Sequence, residues 1–404
     1  AGALASALAC RPAPPSLPAP PAARVDDTVD TIQGERFPDP YRWLEAQTAP
    51  ETRQWLARQD AYADLILPRD ERRLGLERRL TQLMDRAEIG VPRRGGDTEY
   101  FVLRRVGEEL ASIVRRPVDK AAGGRPARRA PIDPAQKYDV VVDPMPLSPD
   151  ATTRVELVGV ERDGRFLIYG VRDGGQDEFA MRIRDLRTNQ DLDETFPAAL
   201  YSSVVLAHAN DGFYYSVRSR QTGARIRKHL WRTPVASDAQ LFGDGYGPTA
   251  FVSVLESDDG KWRVYSVQHG WATTDVFAQW AASRGSTPFA VVERADARFY
   301  PRFVNGQLWM RTDLDASNNR VVAVDLRKPV REAWRTIVAE QPEVIEDVTV
   351  IDGAIYAQVL KNAASRILRF DLQGRRSGEI EVPPMSSASI RGDGPGFALL
   401  TVES

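Results

Sequence analysis

Residues 161–172 read ERDGRFLIYGVR. Asp163-Gly164 is a hairpin-type turn signal, because Asp-Gly supplies the positive φ that tight β-turns require, and the aromatic and β-branched run RFLIYGV (165–171) after it has the composition of a strand. The same phrasing recurs downstream. FYYSVRS (213–219) follows Asp211-Gly212, WRVYSVQ (262–268) follows Asp259-Gly260, and AIYAQVL (354–360) follows Asp352-Gly353, with Asn305-Gly306 filling the remaining position. From 163 to 211, 259, 305 and 352 the steps are 48, 48, 46 and 47 residues, and Asp393-Gly394 follows 41 later. A period near 45–50 residues with about four strands per unit is the signature of β-propeller blades. Gly95-Gly96-Asp97, ahead of YFVLRR, adds one more marker, so seven markers predict seven blades. A tandem of β-sandwiches would give turns every 8–12 residues without this longer register.

Composition sets the outer limits. The chain has 404 residues, 42% of them hydrophobic, which is ample for a buried core and excludes general disorder. A formal charge of −2 argues against nucleic-acid binding, which needs a basic surplus. One cysteine excludes an internal disulfide framework and multi-thiolate zinc sites. His208, His229 and His269 lie far apart without metal-ligand spacing and are expected to be ordinary strand or loop residues, so neither a metal nor a cofactor is predicted. The arginine-containing insert at 118–136 lengthens the first repeat and reads as a solvated loop.

The front of the chain looks like processing and tether. AGALASALAC (1–10) resembles the end of a secretory signal. Ala7-Leu8-Ala9 fits an ordinary A-x-A cleavage site, whereas Ser6-Ala7-Leu8-Ala9-Cys10 is similar to a bacterial lipobox whose cysteine accepts a lipid. The position of the lone thiol favours Cys10 as a lipidation site, which would make the protein exported, periplasmic or anchored to a bacterial membrane. The Pro-rich stretch in 11–30 suits an extended tether. Over 31–90 the pattern turns helical. Thr48-Ala49-Pro50-Glu51 has capping-box spacing, with Trp55, Tyr62, Leu65 and Ile66 at helical intervals behind it. A second helix is predicted from about Asp70, with Leu76, Leu80, Leu83 and Met84 as its apolar stripe. The fold class is thus mainly β: a seven-bladed β-propeller over 91–404 preceded by a short α-helical segment.

FPDPYRWLEAQTAPETRQWLARQDAYADLIL (37–67), with its core Asp39-Pro40-Tyr41-Arg42-Trp43-Leu44-Glu45, resembles the opening segment of the prolyl oligopeptidases. The similarity continues in ERDGRFLIYGVRDGGQDEFAMRIRDL (161–186) and NNRVVAVDLRKPVREAWRTIVAE (318–340). The resemblance implies a serine endopeptidase in which a seven-bladed propeller caps an α/β-hydrolase domain and admits short peptides, cleaved after proline. It also implies that Tyr201, in LYSSVVLA, falls where the family carries an aromatic lining the substrate cavity; packing between blades is the alternative for that ring. Trp231, Trp262 and Trp309 are expected in the inter-blade core.

A serine hydrolase needs its nucleophile on a strand-to-helix elbow, usually G-x-S-x-G, followed by an acid and a histidine. No such motif occurs in this sequence, and the last histidine is His269. The expectation is a non-catalytic propeller portion whose catalytic residues would lie in a hydrolase domain beyond Ser404, which is also the partner that would bring peptide substrate. The alternative is a stand-alone secreted propeller that binds a ligand.

Overall fold

Each turn marker among the described residues joins the first and second strands of one antiparallel sheet. The structure, a computed structural model, describes residues 17–67, 69–118, 131–148, 150–219, 221–283, 285–392 and 398–403. Cys10, Asp393-Gly394 and most of the 118–136 insert lie outside those residues. The chain divides into two compact units, 1–86 and 87–404.

In the second unit the sheets follow one another in chain order. Blade 1 pairs the short segments Glu88–Ile89 and Arg93–Gly95 with Thr98–Arg104, then adds Ser112–Pro117 and Asp139–Val142. Blade 2 runs through Arg154–Val160, Phe166–Arg172, Phe179–Asp185 and the short Gln190–Asp191. Blade 3 comprises Phe196–Leu206, Gly212–Ser219, Gly223–Leu230 and Ala239–Phe242. Blades 4, 5 and 6 are four-stranded sheets starting at Ala250, Phe299 and Val344, and blade 7 shows Ser387–Gly392 paired with Ala398–Glu403. Blades 2 and 3 are joined as one sheet, because the 11-residue strand Phe196–Leu206 serves both. Phe196 and Ala199 pair with Met181 and Phe179 of blade 2, and Leu200–Leu206 pair with blade 3.

Both faces of a blade are apolar, and each pair of neighbours shares a cluster of buried side chains. Tyr100, Ile113, Leu167 and Tyr169 lie between blades 1 and 2. Ile168, Met181, Phe196 and Phe213 lie between blades 2 and 3, and Tyr214, Val254, Tyr265 and Val267 between 3 and 4. Val264, Ala278, Phe299 and Met310 join 4 to 5; Trp309, Val321, Ile355 and Phe370 join 5 to 6; Ile351, Ile367, Ala388 and Ile390 join 6 to 7. Trp231 and Trp262 pack against these clusters, as the sequence predicts. Blade 7 returns to blade 1 through a different kind of contact: Arg391 Nη2 donates to the carbonyl of Pro92 at 2.7 Å, across 299 positions of sequence. Among the described residues no strand pairing joins those two blades.

The regular spacing of the turns also has a cause in packing. Gly96 N donates to Arg162 O at 2.8 Å, Asn210 Nδ2 donates to Asp163 Oδ2 at 2.7 Å, and Gly260 lies so close to His208 that a Cβ there would stand 2.8 Å from its ring. Each of the first four turns therefore touches its neighbour. One detail differs from the sequence reading: at 211–212 the positive φ belongs to Asn210 (56°), not to the glycine. Gly212 is required for space, since a Cβ would come 1.8 Å from the carbonyl oxygen of His229.

The first unit is built on the DPYRWLE stretch. A hairpin, Val29–Ile32 against Glu35–Pro38, precedes it, a strand pair that the helical reading of 31–90 does not contain. Arg42 ties the hairpin down by donating to Asp39 and to Asp30. Trp43 Nε1 donates to Arg24 O at 2.9 Å, and its ring meets that of Trp55 edge-on at 6.2 Å. Helix α1 spans Pro50–Ile66. Its N-cap is Ala49 with no side-chain cap, so the predicted capping box at Thr48 does not form, and Pro50 starts the helix through its fixed φ. Helix α2 spans Glu71–Met84, starting where predicted, and is capped by Asp70, which accepts from Arg73 N at 2.8 Å. Its stripe of Leu76, Leu80, Leu83 and Met84 is exposed. The first blade already begins at Glu88, slightly ahead of the expected boundary at 91.

These contacts separate two kinds of glycine. Gly306→Ala, where only the positive φ of 76° opposes a side chain, is expected to cost about 1 kcal/mol. Gly212→Ala, which drives a methyl into a carbonyl, should cost about 3 kcal/mol. Urea unfolding of the two variants checks this; equal losses would mean that the Gly212 contact is not limiting.

Candidate functional site

All seven blades run their first strand in the same sense, so the ring has two different faces. One carries the turns between first and second strands. The other carries the loops between second and third strands and the crossovers between blades. Glu88 pairs with Arg104 and Ser387 pairs with Glu403, so strand Glu88–Ile89 starts, and strand Ala398–Glu403 ends, on this second face. Here too is Trp271, 96% exposed on the turn after strand Trp262–His269.

One cleft on this loop face lies at the loop end of blade 3, where that blade meets blade 2. It has a volume of about 410 Å³ and is lined by Glu178, Leu200, Val217 and three arginines, Arg218, Arg225 and Arg227. Arg225 and Arg227 are two apart on one strand and share a side of it, while Arg218, one residue before the end of the neighbouring strand, pairs with Ala224 and lies on the other side of the sheet. The Arg218 guanidinium stands 4.4 Å from the ring centroid of Phe251. Arg225 Nη1 donates to the carbonyls of Ala224 and Tyr246. A smaller cavity of about 70 Å³ between blades 5 and 6 is lined by Tyr300, Arg302, Arg311 and Asp347; Arg311 lies 3.8 Å over the Tyr300 ring and Arg302 reaches Asp347 at 3.2 Å. Sequence reading missed the blade 3 arginines, although the Arg-x-Arg spacing on a strand was the signal that could have found them.

Tyr201 sits in the aromatic cluster between blades 2 and 3. Only 9% of it is exposed, its ring contacts Phe179, Phe196 and Tyr215, and its hydroxyl donates to Pro197 O at 2.6 Å. These surroundings are those of the packing alternative. Beside it Asp238 accepts from Tyr215 at 2.8 Å and pairs with Nδ1 of the fully buried His229 at 2.9 Å. His269 pairs with Asp275 at 2.8 Å, and His208 uses its backbone N–H on Glu256. Among the described residues no serine hydroxyl hydrogen-bonds a histidine.

Burial, with the charge of Asp238 adding to it, pushes the Tyr201 phenol up to about 12; Tyr214 and Tyr215 also move upward, burial again being the main cause. Because ionisation is disfavoured in the folded state, their contribution is complete below the ordinary value of 10 and is lost as pH rises through 12. An absorbance titration of tyrosinate should therefore show these three ionising only with unfolding. Tyr201→Phe, which loses one hydrogen bond, should cost about 1 kcal/mol, and Tyr201→Ala about 4 kcal/mol. A simple shared midpoint near 10 for all tyrosines would contradict the burial.

A family model described as the N-terminal β-propeller domain of prolyl oligopeptidase matches residues 20–394. The chain belongs to the prolyl oligopeptidase family. Curated relatives of this propeller include the prolyl endopeptidase of Elizabethkingia meningoseptica, 25% identical over 372 residues, which cover 89% of the chain and 50% of that protein. The dipeptidyl aminopeptidase BI of Pseudoxanthomonas mexicana is 22% identical, over 91% of the chain and 51% of that protein. The chain spans about half the length of the curated relatives it matches. Among solved structures, one from a study of two prolyl endopeptidases superposes with a TM-score of 0.78 at 24% identity, covering 91% of this chain and 54% of the other. Prolyl oligopeptidase B from Galerina marginata, bound to a 35mer hydrolysis and macrocyclization substrate, superposes with a TM-score of 0.74 at 20% identity, covering 92% and 55%.

Proposed function

We propose that this chain is the substrate-gating propeller of a prolyl oligopeptidase-type serine endopeptidase acting on short proline-containing peptides, and that it is itself non-catalytic. The observation that carries the reading is the polarity of the ring: strand Glu88–Ile89 begins, and strand Ala398–Glu403 ends, on the one loop face. A hydrolase domain following residue 404 would be reached from that face. A propeller laid over a catalytic centre admits peptide by size, because extended short chains pass where a folded domain cannot. Trp271 supports the same face as the docking side, since a large exposed aromatic is the residue type that anchors interfaces. The non-catalytic part rests on the sequence, which lacks a nucleophile elbow and any histidine after 269.

The first ten residues add a proposal about place. Cys10 in a lipobox-like setting supports a lipid-anchored, exported protein, and mass spectrometry of the mature N-terminus from a bacterial host should find Cys10 carrying a diacylglyceryl group; an unmodified Cys10 would end that idea.

Function is tested by assay and by reading frame. The chain alone should release no chromophore from a chromogenic proline peptide above background. The coding sequence past Ser404 should supply G-x-S-x-G followed by Asp and His. In the full-length enzyme Trp271→Ala should lower turnover while leaving the melting temperature of the propeller alone unchanged. A stop codon directly after Ser404 would favour the ligand-binding alternative, and turnover by this chain alone would overturn the non-catalytic reading.

A further inference from the structure

We propose that the arginine cleft of blade 3 is a carboxylate-binding subsite for peptide. Most arginines of the ring are neutralised by an acid at short range: Arg116 by Glu99 at 2.8 Å, Arg184 by Asp191 at 2.7 Å, Arg298 by Asp313 at 2.7 Å, and Arg366 by Glu379. The cleft breaks this rule. Arg227 makes no ion pair or hydrogen bond among the described residues. Arg225 has one acid nearby, Asp244 at 3.6 Å, whose side chain is 85% exposed. Two guanidiniums, those of Arg225 and Arg227, thus share the lining with one carboxylate, Glu178, which is itself already engaged.

The chemistry of the occupant follows from that imbalance. Guanidinium groups present paired N–H donors in a planar fork that matches a carboxylate, and a partly enclosed cleft weakens water's competition for them. The cleft's volume of about 410 Å³ suits a residue or two of peptide rather than a lone ion. The apolar stretch of its wall, Ala198, Ala199, Leu200 and Val217, offers contact to the rest of such a ligand. Its position on the loop face makes it reachable by a peptide lying between this ring and whatever covers that face. The choice of peptide as occupant rests on the function proposed above; the excess of positive charge does not.

Binding to this chain alone tests the site. The probes are a short proline tripeptide with a free C-terminus, the same peptide as its C-terminal amide, and the amide of a variant carrying glutamate in the last position, each blocked at the N-terminus and titrated calorimetrically. The free acid should bind at least about tenfold more tightly than its amide, and raising salt from low to high should erase the difference. Recovery of affinity in the glutamate amide would assign the carboxylate to an acidic side chain as well as to a chain end, and no recovery would restrict it to the terminus; both outcomes support the subsite. Arg227→Met should remove most of the preference, Arg227→Lys should restore part of it, and Lys261→Met, on the opposite face, should change nothing. If Arg227→Met unfolds the ring, the acid-to-amide ratio of the parent and its salt dependence still decide. Equal binding of acid and amide, or no binding of either, overturns the proposal. A reading frame without a nucleophile elbow would instead overturn the peptidase reading while leaving the acid-to-amide ratio intact.

Discussion

A four-stranded antiparallel sheet with apolar side chains on both faces is insoluble by itself and becomes stable only when each face is covered by another such sheet. That requirement organises this chain from Glu88 onward. Phe166, Leu167, Ile168 and Tyr169 are consecutive and all are essentially buried, which a one-sided sheet could not accommodate: Leu167 and Tyr169 face blade 1 while Phe166 and Ile168 face blade 3. Continuous apolar runs of this kind, rather than strict alternation, are what stacking on both sides demands. The blades must come in sequence order because their connections are short, and the right-handed twist of each sheet turns the stack into a ring.

The turns made the ring legible. Asp-Gly and Asn-Gly pairs report local backbone geometry, and every described marker sits between the first and second strands of a blade. The helix start at Thr48 was misread because the capping-box pattern asks only about side chains, whereas Pro50 begins the helix through its backbone, one residue further on. The hairpin at 29–38 was missed for a related reason: its strands have four residues each and little apolar content, and they are held by Arg42, Asp30 and Asp39, contacts that no periodicity announces. Tyr201 shows the limit of position by analogy. An aromatic in a strand can face either a cavity or a neighbouring sheet, and only its bonded hydroxyl and covered ring distinguish them.

The arginine cleft was invisible for a different reason. A net charge of −2 averages over the whole chain and conceals a local surplus. Arg225 and Arg227 share a side only because their strand is extended, and Glu178 and Leu200 reach them only through the meeting of blades 2 and 3. The proposed docking side and the cleft belong to the same face, where loops and crossovers leave side chains outside the interlocked core.

The circle is not equally strong around its circumference. Blades 2 and 3 share a single strand and are fastened by main-chain hydrogen bonds, whereas blades 7 and 1 meet through side-chain contact, including the bond from Arg391 to Pro92. Such a hoop has a weld and a clasp. Thermal breathing would part it first at the clasp, which lies beside both strands that begin and end the ring.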